Sequence, residues 1–201
     1  MPLVYQHNIN EHTRLGVWHI REDDEFFLAN VPLKRGVTHP HKRLQHLAGR
    51  FLLPYLFDDF PLSEILIADT RKPFLEKEQY HFSISHCGDY AAAIVSRYER
   101  VGIDIEMPAE KITRIREKFL GSHEKEIFHD ADMTTLTLLW SAKESVFKWY
   151  GIGGVDFSDN ILLTDLDKSG LTIQCRFTKT ETDLQVRFRL LENIVLTWVN
   201  T

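Results

Sequence analysis

Three acidic residues from two separate segments have the types and spacing to bind a divalent cation together. Asp104 and Glu106 lie in Val101–Glu106, where apolar residues alternate with others, which predicts a strand carrying both acids on one face. Glu144 lies in Trp140–Lys148, whose spacing predicts a helix. Carboxylates that meet repel one another unless a proton or a cation lies among them. Oxygen ligands without a nearby cysteine suit a hard cation such as Mg²⁺.

Two lysines accompany the glutamate of this helix. Lys148 follows Glu144 by four residues and therefore lies on the same side of the helix, one turn further on. Lys143 directly precedes Glu144 and points about 100° away from it. A structural role and a phosphate contact are both open for Lys143.

A second group of charged residues lies in the predicted helix His39–Phe57, whose apolar residues recur at helical spacing. Arg43, His46 and Arg50 share an adjacent face of that helix. This pattern has two interpretations, a solvated amphipathic face or a phosphate site, since guanidinium groups match phosphate oxygens in pairs. The histidines of the segment have no acidic or cysteine partner at metal-ligand spacing.

A predicted strand at His81–His86 places Ser85 beside His86 at its end. Adjacent strand residues face opposite ways, and the chain has no G-x-S-x-G turn, so a serine nucleophile paired with this histidine is not expected. The strand is expected to turn back at Cys87–Asp89 and to continue, through a second strand, into Val101–Glu106 as one antiparallel meander.

Two motifs carry a family resemblance. The strand motif G-I-D-I-E at 102–106 and the helix motif W-S-A-K-E-S-V-F-K at 140–148 resemble those of the 4′-phosphopantetheinyl transferases of the surfactin-synthetase-activating type. Both motifs are present, in order and at a helix-length separation, and the resemblance extends over about Arg43–Asn160. It implies transfer of the 4′-phosphopantetheine arm from coenzyme A to a serine of an apo carrier protein, with release of adenosine 3′,5′-bisphosphate.

The resemblance also implies which residues bind coenzyme A. The expected phosphate contacts are Arg43, Arg50, Lys72, Ser85 and His86, with Lys143 and Lys148 as further contacts. The family shows G-K-P where this chain has Arg71-Lys72-Pro73. A left-handed backbone is costly for Arg, so the loop is expected to differ locally.

For the metal and the chemistry, the resemblance implies Mg²⁺ bound by Asp104, Glu106 and Glu144, with Lys148 at the same phosphates. The serine hydroxyl needs a base, and Glu144, Glu124 or a metal-bound water are the alternatives. Glu124 matches a family glutamate near the metal, although Glu126 lies close to it in the chain.

The predicted fold class is α+β, with residues 1–98 and 99–201 as two lobes, each a helix packed on a small, mostly antiparallel sheet. The resemblance adds pseudo-twofold symmetry, a monomer and an active site between the lobes. The 201 residues contain 43% hydrophobic residues and carry a net charge of −5, which gives no general attraction to nucleic acid or to an anionic membrane. With two cysteines and no signal-peptide pattern, a cytoplasmic location is expected.

Two other functions fit the same residues. A non-catalytic module would bind coenzyme A or a carrier protein without transferring anything. A Mg²⁺-dependent phosphohydrolase would use the same acids on water and release the arm instead of attaching it.

Overall fold

The structure, a computed structural model, describes residues 2–32 and 36–201. The chain divides into two compact units, Met1–Val101 together with Asn200–Thr201, and Gly102–Val199. Each unit has its own sheet and its own hydrophobic core, with helices packed against the sheet. The predicted α+β class is therefore confirmed.

The first unit is built around a four-stranded sheet. Its elements, in chain order, are β1 (Leu3–Asn8), β2 (Thr13–His19), α1 (Asp24–Leu28), α2 (Pro40–Leu56), a 3₁₀ turn (Leu62–Glu64), β3 (Leu66–Ile67), β4 (Pro73–Phe74), β5 (His81–Cys87) and β6 (Tyr90–Ser96). The sheet has the order β1-β2-β6-β5, and all its neighbours are antiparallel. β3 and β4 form a separate short hairpin.

Helix α2 lies on this sheet and contacts β6 and β5. His39 precedes it as the N-cap, and Pro40 occupies the first turn, where its missing N–H costs nothing. At Gly49 an added Cβ would stand 2.5 Å from Cγ2 of Ile84, so the glycine lets the helix approach β5 closely. This approach brings Arg50 of the helix close to β5, and both elements line a cavity of the first unit that is described below.

The second unit contains a five-stranded sheet and four helices among its described elements. They are β7 (Val101–Glu106), α3 (Lys111–Phe119), α4 (Ser122–Ile127), α5 (Met133–Tyr150), α6 (Phe157–Asn160), β8 (Ile161–Asp167), β9 (Thr172–Phe177), β10 (Thr182–Leu191) and β11 (Ile194–Asn200). The strand order is β7-β11-β10-β9-β8. The predicted meander from β6 into β7 is wrong, because β7 pairs with β11. Apolar alternation identifies a strand but not its hydrogen-bonding partner.

Helix α5 carries one of the two sequence motifs, and its ends are well determined. The Asp132 carboxylate accepts a hydrogen bond of 2.7 Å from the Thr135 N–H and caps the first turn. At the other end Gly151 adopts φ 73, the left-handed conformation typical of a helix terminus, and its N–H bonds the Phe147 carbonyl at 2.9 Å.

Gly102 allows β7 to pack directly on the backbone of α5. A Cβ at this position would stand 2.0 Å from the Ser145 carbonyl oxygen and 2.6 Å from the Trp149 nitrogen. Gly102 shares its face of the strand with Asp104 and Glu106. The close contact therefore brings both acids alongside α5.

No helix in the described part of the chain combines the length and the apolar character needed to cross a membrane.

Candidate active site

Asp104 is held from two sides by side chains of α5. Its side chain is 4% exposed, and Oδ1 lies 2.7 Å from Nζ of Lys148. Oδ2 accepts a hydrogen bond of 2.8 Å from the Ser141 hydroxyl, which also lies 3.0 Å from Oγ1 of Thr197. The carboxylate is therefore buried and fixed in orientation.

Glu106 lies two residues further along the same face and is half-buried. Its Oε1 accepts a hydrogen bond of 3.2 Å from the indole N–H of Trp140. The polar edge of the Trp140 ring therefore orients one of the acids.

Glu144 lies close enough to Asp104 and Glu106 to interact with them electrostatically. Burial raises the pKa of Glu144 to about 7, and the carboxylate of Asp104 adds to the rise. Lys148 opposes this rise, whereas Glu106 supports it. Strand β7 and helix α5 thus bring Asp104, Glu106, Glu144 and Lys148 into one electrostatic cluster.

The side chains of this cluster do not form a ready ion cage. Within residues 2–32 and 36–201, no three or more His, Cys, Asp or Glu side chains are grouped closely enough to hold a metal ion. The Lys148 ammonium instead bonds Asp104. The donor chemistry still fits Mg²⁺, because the acids offer only oxygen and a cation would relieve the repulsion that Glu144 experiences.

Lys143 and Glu124 form an ion pair inside the second unit. The Lys143 side chain is 0% exposed and that of Glu124 is 2% exposed, with 2.7 Å between Nζ and Oε2. The Lys143 ammonium also donates to the carbonyl oxygens of Phe157 at 2.8 Å and Ile161 at 2.6 Å. All three ammonium hydrogens are thus used within the protein, which gives Lys143 no donor for a coenzyme A phosphate.

Glu124 is equally engaged. Its Oε1 accepts from the Leu163 N–H at 2.9 Å, and its Oε2 accepts from the Gly121 N–H at 2.8 Å as well as from Lys143. Burial lowers the pKa of Lys143, and the charge of Glu124 partly opposes that fall. These contacts favour a structural role for both residues over the contact with coenzyme A and the role as base that the sequence analysis considered.

A basic cavity of about 320 Å³ lies in the first unit. Its polar lining consists of His46, Arg50, Arg71 and His86. Its apolar lining consists of Pro32, Leu62, Ile65, Ile67, Pro73 and Ile84. Burial lowers the pKa of Arg50, and its Nη1 lies 3.1 Å from Nδ1 of His46. The cavity brings together two of the predicted coenzyme A contacts, Arg50 and His86.

The other predicted contacts of the first unit lie outside the lining of this cavity as the described residues form it. Arg43 makes an ion pair with Asp24. Ser85 is buried on the face of β5 opposite His86. Lys72 is half-buried, and burial together with the charge of Arg100 lowers the pKa of Lys72 to about 8.

Sequence reasoning missed three residues that the geometry singles out. Ser141 orients Asp104 and is part of the helix motif, so its place in that motif was an available signal. Thr197 supports Ser141 from β11, and no local pattern marks it. Arg71 was noted only as a departure from glycine, yet it is one of the residues that line the cavity.

Comparisons with known proteins point to one family. Residues 100–199 match the model of the family described as the 4′-phosphopantetheinyl transferase superfamily. The chain is 34% identical over 137 residues to enterobactin synthase component D of Salmonella typhi, which covers 65% of this chain and 55% of that protein. It is 32% identical over 158 residues to the protein of that name from Salmonella typhimurium, covering 76% of this chain and 63% of that protein.

A relative with a different name is 4′-phosphopantetheinyl transferase AcpT of Escherichia coli O157:H7. It is 32% identical over 122 residues, which cover 55% of this chain and 59% of that protein. The chain spans about half the length of the curated relatives it matches first, 55% for the Salmonella typhi protein and 54% for those of Escherichia coli O157:H7 and Shigella flexneri. The matched family segment contains both β7 and α5.

Proposed function

Because the chain belongs to the 4′-phosphopantetheinyl transferase superfamily, we propose that it transfers the 4′-phosphopantetheine arm of coenzyme A to a serine hydroxyl of an apo carrier protein. The second product would be adenosine 3′,5′-bisphosphate. The observation that carries the proposal is the electrostatic cluster of Asp104, Glu106 and Glu144 with Lys148. Breaking a pyrophosphate link requires cations near the leaving phosphate, where negative charge grows, and this cluster offers one lysine together with carboxylates that would hold Mg²⁺.

Asp104, Glu106 and Glu144 would bind Mg²⁺, which supplies Lewis-acid stabilisation of the pyrophosphate oxygens when it is present. Ser141 and Trp140 support this assignment, since they hold two of the acids in fixed orientations without neutralising them. Lys148 already bonds Asp104, and because its side chain is 25% exposed, an incoming phosphate would share its ammonium.

Glu144 is the acid we assign as the base for the carrier serine. Glu124, the alternative, has both carboxylate oxygens engaged in the interior. Glu144 lies on the half-buried side of α5, next to the other acids. Accepting a proton there requires only a hydrogen-bond approach by the serine, directly or through a water.

The basic cavity of the first unit would bind the nucleotide end of coenzyme A. Arg50 and His86 supply charged and polar donors for the phosphates. Ile65, Ile67 and Ile84 supply apolar surface for the adenine ring. Guanidinium and imidazole groups suit phosphate oxygens, whereas the aliphatic wall suits a planar ring.

The test is to incubate the protein with coenzyme A, Mg²⁺ and a panel of apo carrier proteins and to weigh the carriers by mass spectrometry. Because several relatives are named as an enterobactin synthase component, the panel includes a carrier of such a synthase beside a fatty-acid carrier. We expect a carrier to gain the arm, and we expect EDTA to prevent it. Release of the arm without any carrier would instead identify a phosphohydrolase.

Asp104→Asn tests the acids within the same assay. The amide keeps the shape and a hydrogen bond to Ser141 but removes the charge, so transfer should fall by about 100-fold or more. Asp130→Asn is the matched control, since that side chain is exposed and pairs only with a neighbouring histidine among the described ion pairs. Normal transfer by the Asp104 variant would remove this residue from the mechanism.

A monomer in the cytoplasm is the arrangement we propose for the working protein. Light scattering on the purified chain gives its mass in solution, and a dimer would contradict the proposal. Fractionation of the cells that produce it tests the location.

A further inference from the structure

Arg71 lies at a position whose backbone conformation suits glycine. In the β3–β4 hairpin the Ala68 N–H bonds the Lys72 carbonyl at 2.9 Å, and the Arg71 N–H bonds the Ala68 carbonyl at 2.8 Å. This pattern matches a three-residue hairpin loop, in which a turn is followed by one left-handed residue. Arg71 is that residue and has φ 65. Arg71 therefore adopts the left-handed backbone that is costly for a residue other than glycine.

The backbone angle by itself marks no ligand site, because Glu78, Leu171, Glu181 and Glu192 also have a positive φ. What distinguishes Arg71 is its place at the cavity of the first unit. The hairpin that carries it also supplies Ile67 and Pro73 to the wall of the basic cavity, and these two residues are paired across the hairpin. Arg71 lies at the tip of this wall and lines the same cavity.

The opposite walls present the other polar groups. Helix α2 contributes His46 and Arg50, and β5 contributes His86. No acidic side chain belongs to the lining that the described residues form. Two guanidinium groups and two imidazoles thus surround a largely aliphatic cavity. Such a lining favours a ligand that carries a phosphate dianion on a compact apolar body.

We propose that Arg71 is a specificity-determining residue of this cavity, whose guanidinium binds the 3′-phosphate of coenzyme A and so distinguishes coenzyme A from 3′-dephospho-coenzyme A. This inference rests on the proposed function for the identity of the ligand. It goes beyond that function because it assigns the discrimination between coenzyme A and 3′-dephospho-coenzyme A to the Arg71 side chain. A glycine at this position would have no such side chain.

Binding without catalysis is the direct test. Calorimetry would measure the affinities of the wild-type chain and of Arg71→Ala for adenosine 3′,5′-bisphosphate and for adenosine 5′-monophosphate. These two ligands differ by one phosphate group. We expect the bisphosphate to bind the variant about 10-fold more weakly, as for loss of one charged hydrogen-bonded contact, and the monophosphate to change less than about 2-fold. Equal losses for both ligands, or no loss for either, would overturn the proposal.

Arg71→Gly adds a second measurement, the melting temperature, which loss of the charge alone would not raise. It should weaken bisphosphate binding as Arg71→Ala does and should also raise the melting temperature, because glycine accepts φ 65 without strain. Lys77→Ala is the matched control: it removes a cation that does not line the cavity, whose side chain is 75% exposed and pairs with Glu64. That control should leave both affinities unchanged. A similar loss in it would mean that only net charge matters, and would refute the assignment.

The transfer assay separates this inference from the proposed function. If wild-type protein modifies no carrier but binds the bisphosphate through Arg71, the proposed function fails and the inference stands. If it modifies a carrier and Arg71→Ala uses coenzyme A and 3′-dephospho-coenzyme A in the same ratio as wild type, the inference fails and the function stands.

Discussion

Replacing Lys143 by methionine should destabilise the second unit strongly. Methionine has a similar length and no charge, so the change leaves the Glu124 carboxylate buried without its cation and the carbonyls of Phe157 and Ile161 without a donor. Removing one partner of a buried pair typically costs about 3–5 kcal/mol of unfolding free energy. We expect a loss in this range, because both side chains lie almost wholly in the interior.

Urea unfolding followed by circular dichroism measures the loss, and a double-mutant cycle isolates the pair. Glu124→Gln alone should cost about 2–3 kcal/mol, since it leaves a buried ammonium partly unpaired. The double variant should cost less than the sum of the two by about 1–3 kcal/mol, because no unpaired charge remains. Lys118→Met is the control for an exposed helical lysine and should stay within about 0.5 kcal/mol of wild type.

Two results would refute this reasoning. Lys143→Met within about 1 kcal/mol of wild type would mean that the pair does not hold the unit together. The second result concerns binding. Folded Lys143→Met should bind adenosine 3′,5′-bisphosphate as wild type does, because its ammonium is engaged inside the protein. A marked loss of affinity for the bisphosphate would instead mean that Lys143 contacts coenzyme A.

Three further predictions concern the elements that position the site. Gly102→Ala should cost about 3 kcal/mol or more and abolish transfer, since its Cβ would stand 2.0 Å from a backbone oxygen of α5; Gly36→Ala, with nothing within 4 Å, is the control in thermal unfolding. Asp132→Ala should cost about 1 kcal/mol at pH 7 through loss of the helix cap. The backbone hydrogen bond from Thr135 lowers the pKa of Asp132, so its contribution is present above the ordinary value of 3.8 and is lost as pH falls through the folded value. The gap between variant and wild type in unfolding free energy should therefore close in acid, and a constant gap would contradict the cap. Arg50→Ala should raise the Michaelis constant for coenzyme A more than it lowers turnover at saturation, and an unchanged constant would count against its place in the cavity.

The sequence predicts the parts of this protein that depend on local periodicity. Alternation in Val101–Glu106 and helical spacing around Glu144 identify β7 and α5 and give the faces of their acids correctly. The partner of β7 was not predictable in this way, because pairing with β11 joins strands far apart in the chain. Local patterns describe which face is apolar, and they do not describe which distant strand covers it.

Lys143 shows the same limit within one helix. A lysine is rarely buried, so composition places it at the surface. Its burial depends on Glu124 and on two carbonyls beyond the end of the helix, none of which the helical pattern contains. Arg71 differs again: the departure from glycine was visible in the sequence, but its position at the cavity depends on the pairing of two short strands, β3 and β4.

The ion pair of Lys143 makes α5 intolerant of any change in its phase. Consecutive helical residues are rotated by about 100°. Lys143 therefore points into the interior of the unit, whereas the next residue, Glu144, points to the acidic cluster. Deleting a single residue between Asp132 and Lys143 would rotate Glu144 to the place that the ammonium now fills, and inserting one would put Ala142 there, so either change leaves Glu124 without its cation. The helix can therefore vary in residue type along its exposed side, but the count of residues ahead of this lysine has to be conserved for the chain to fold and to act.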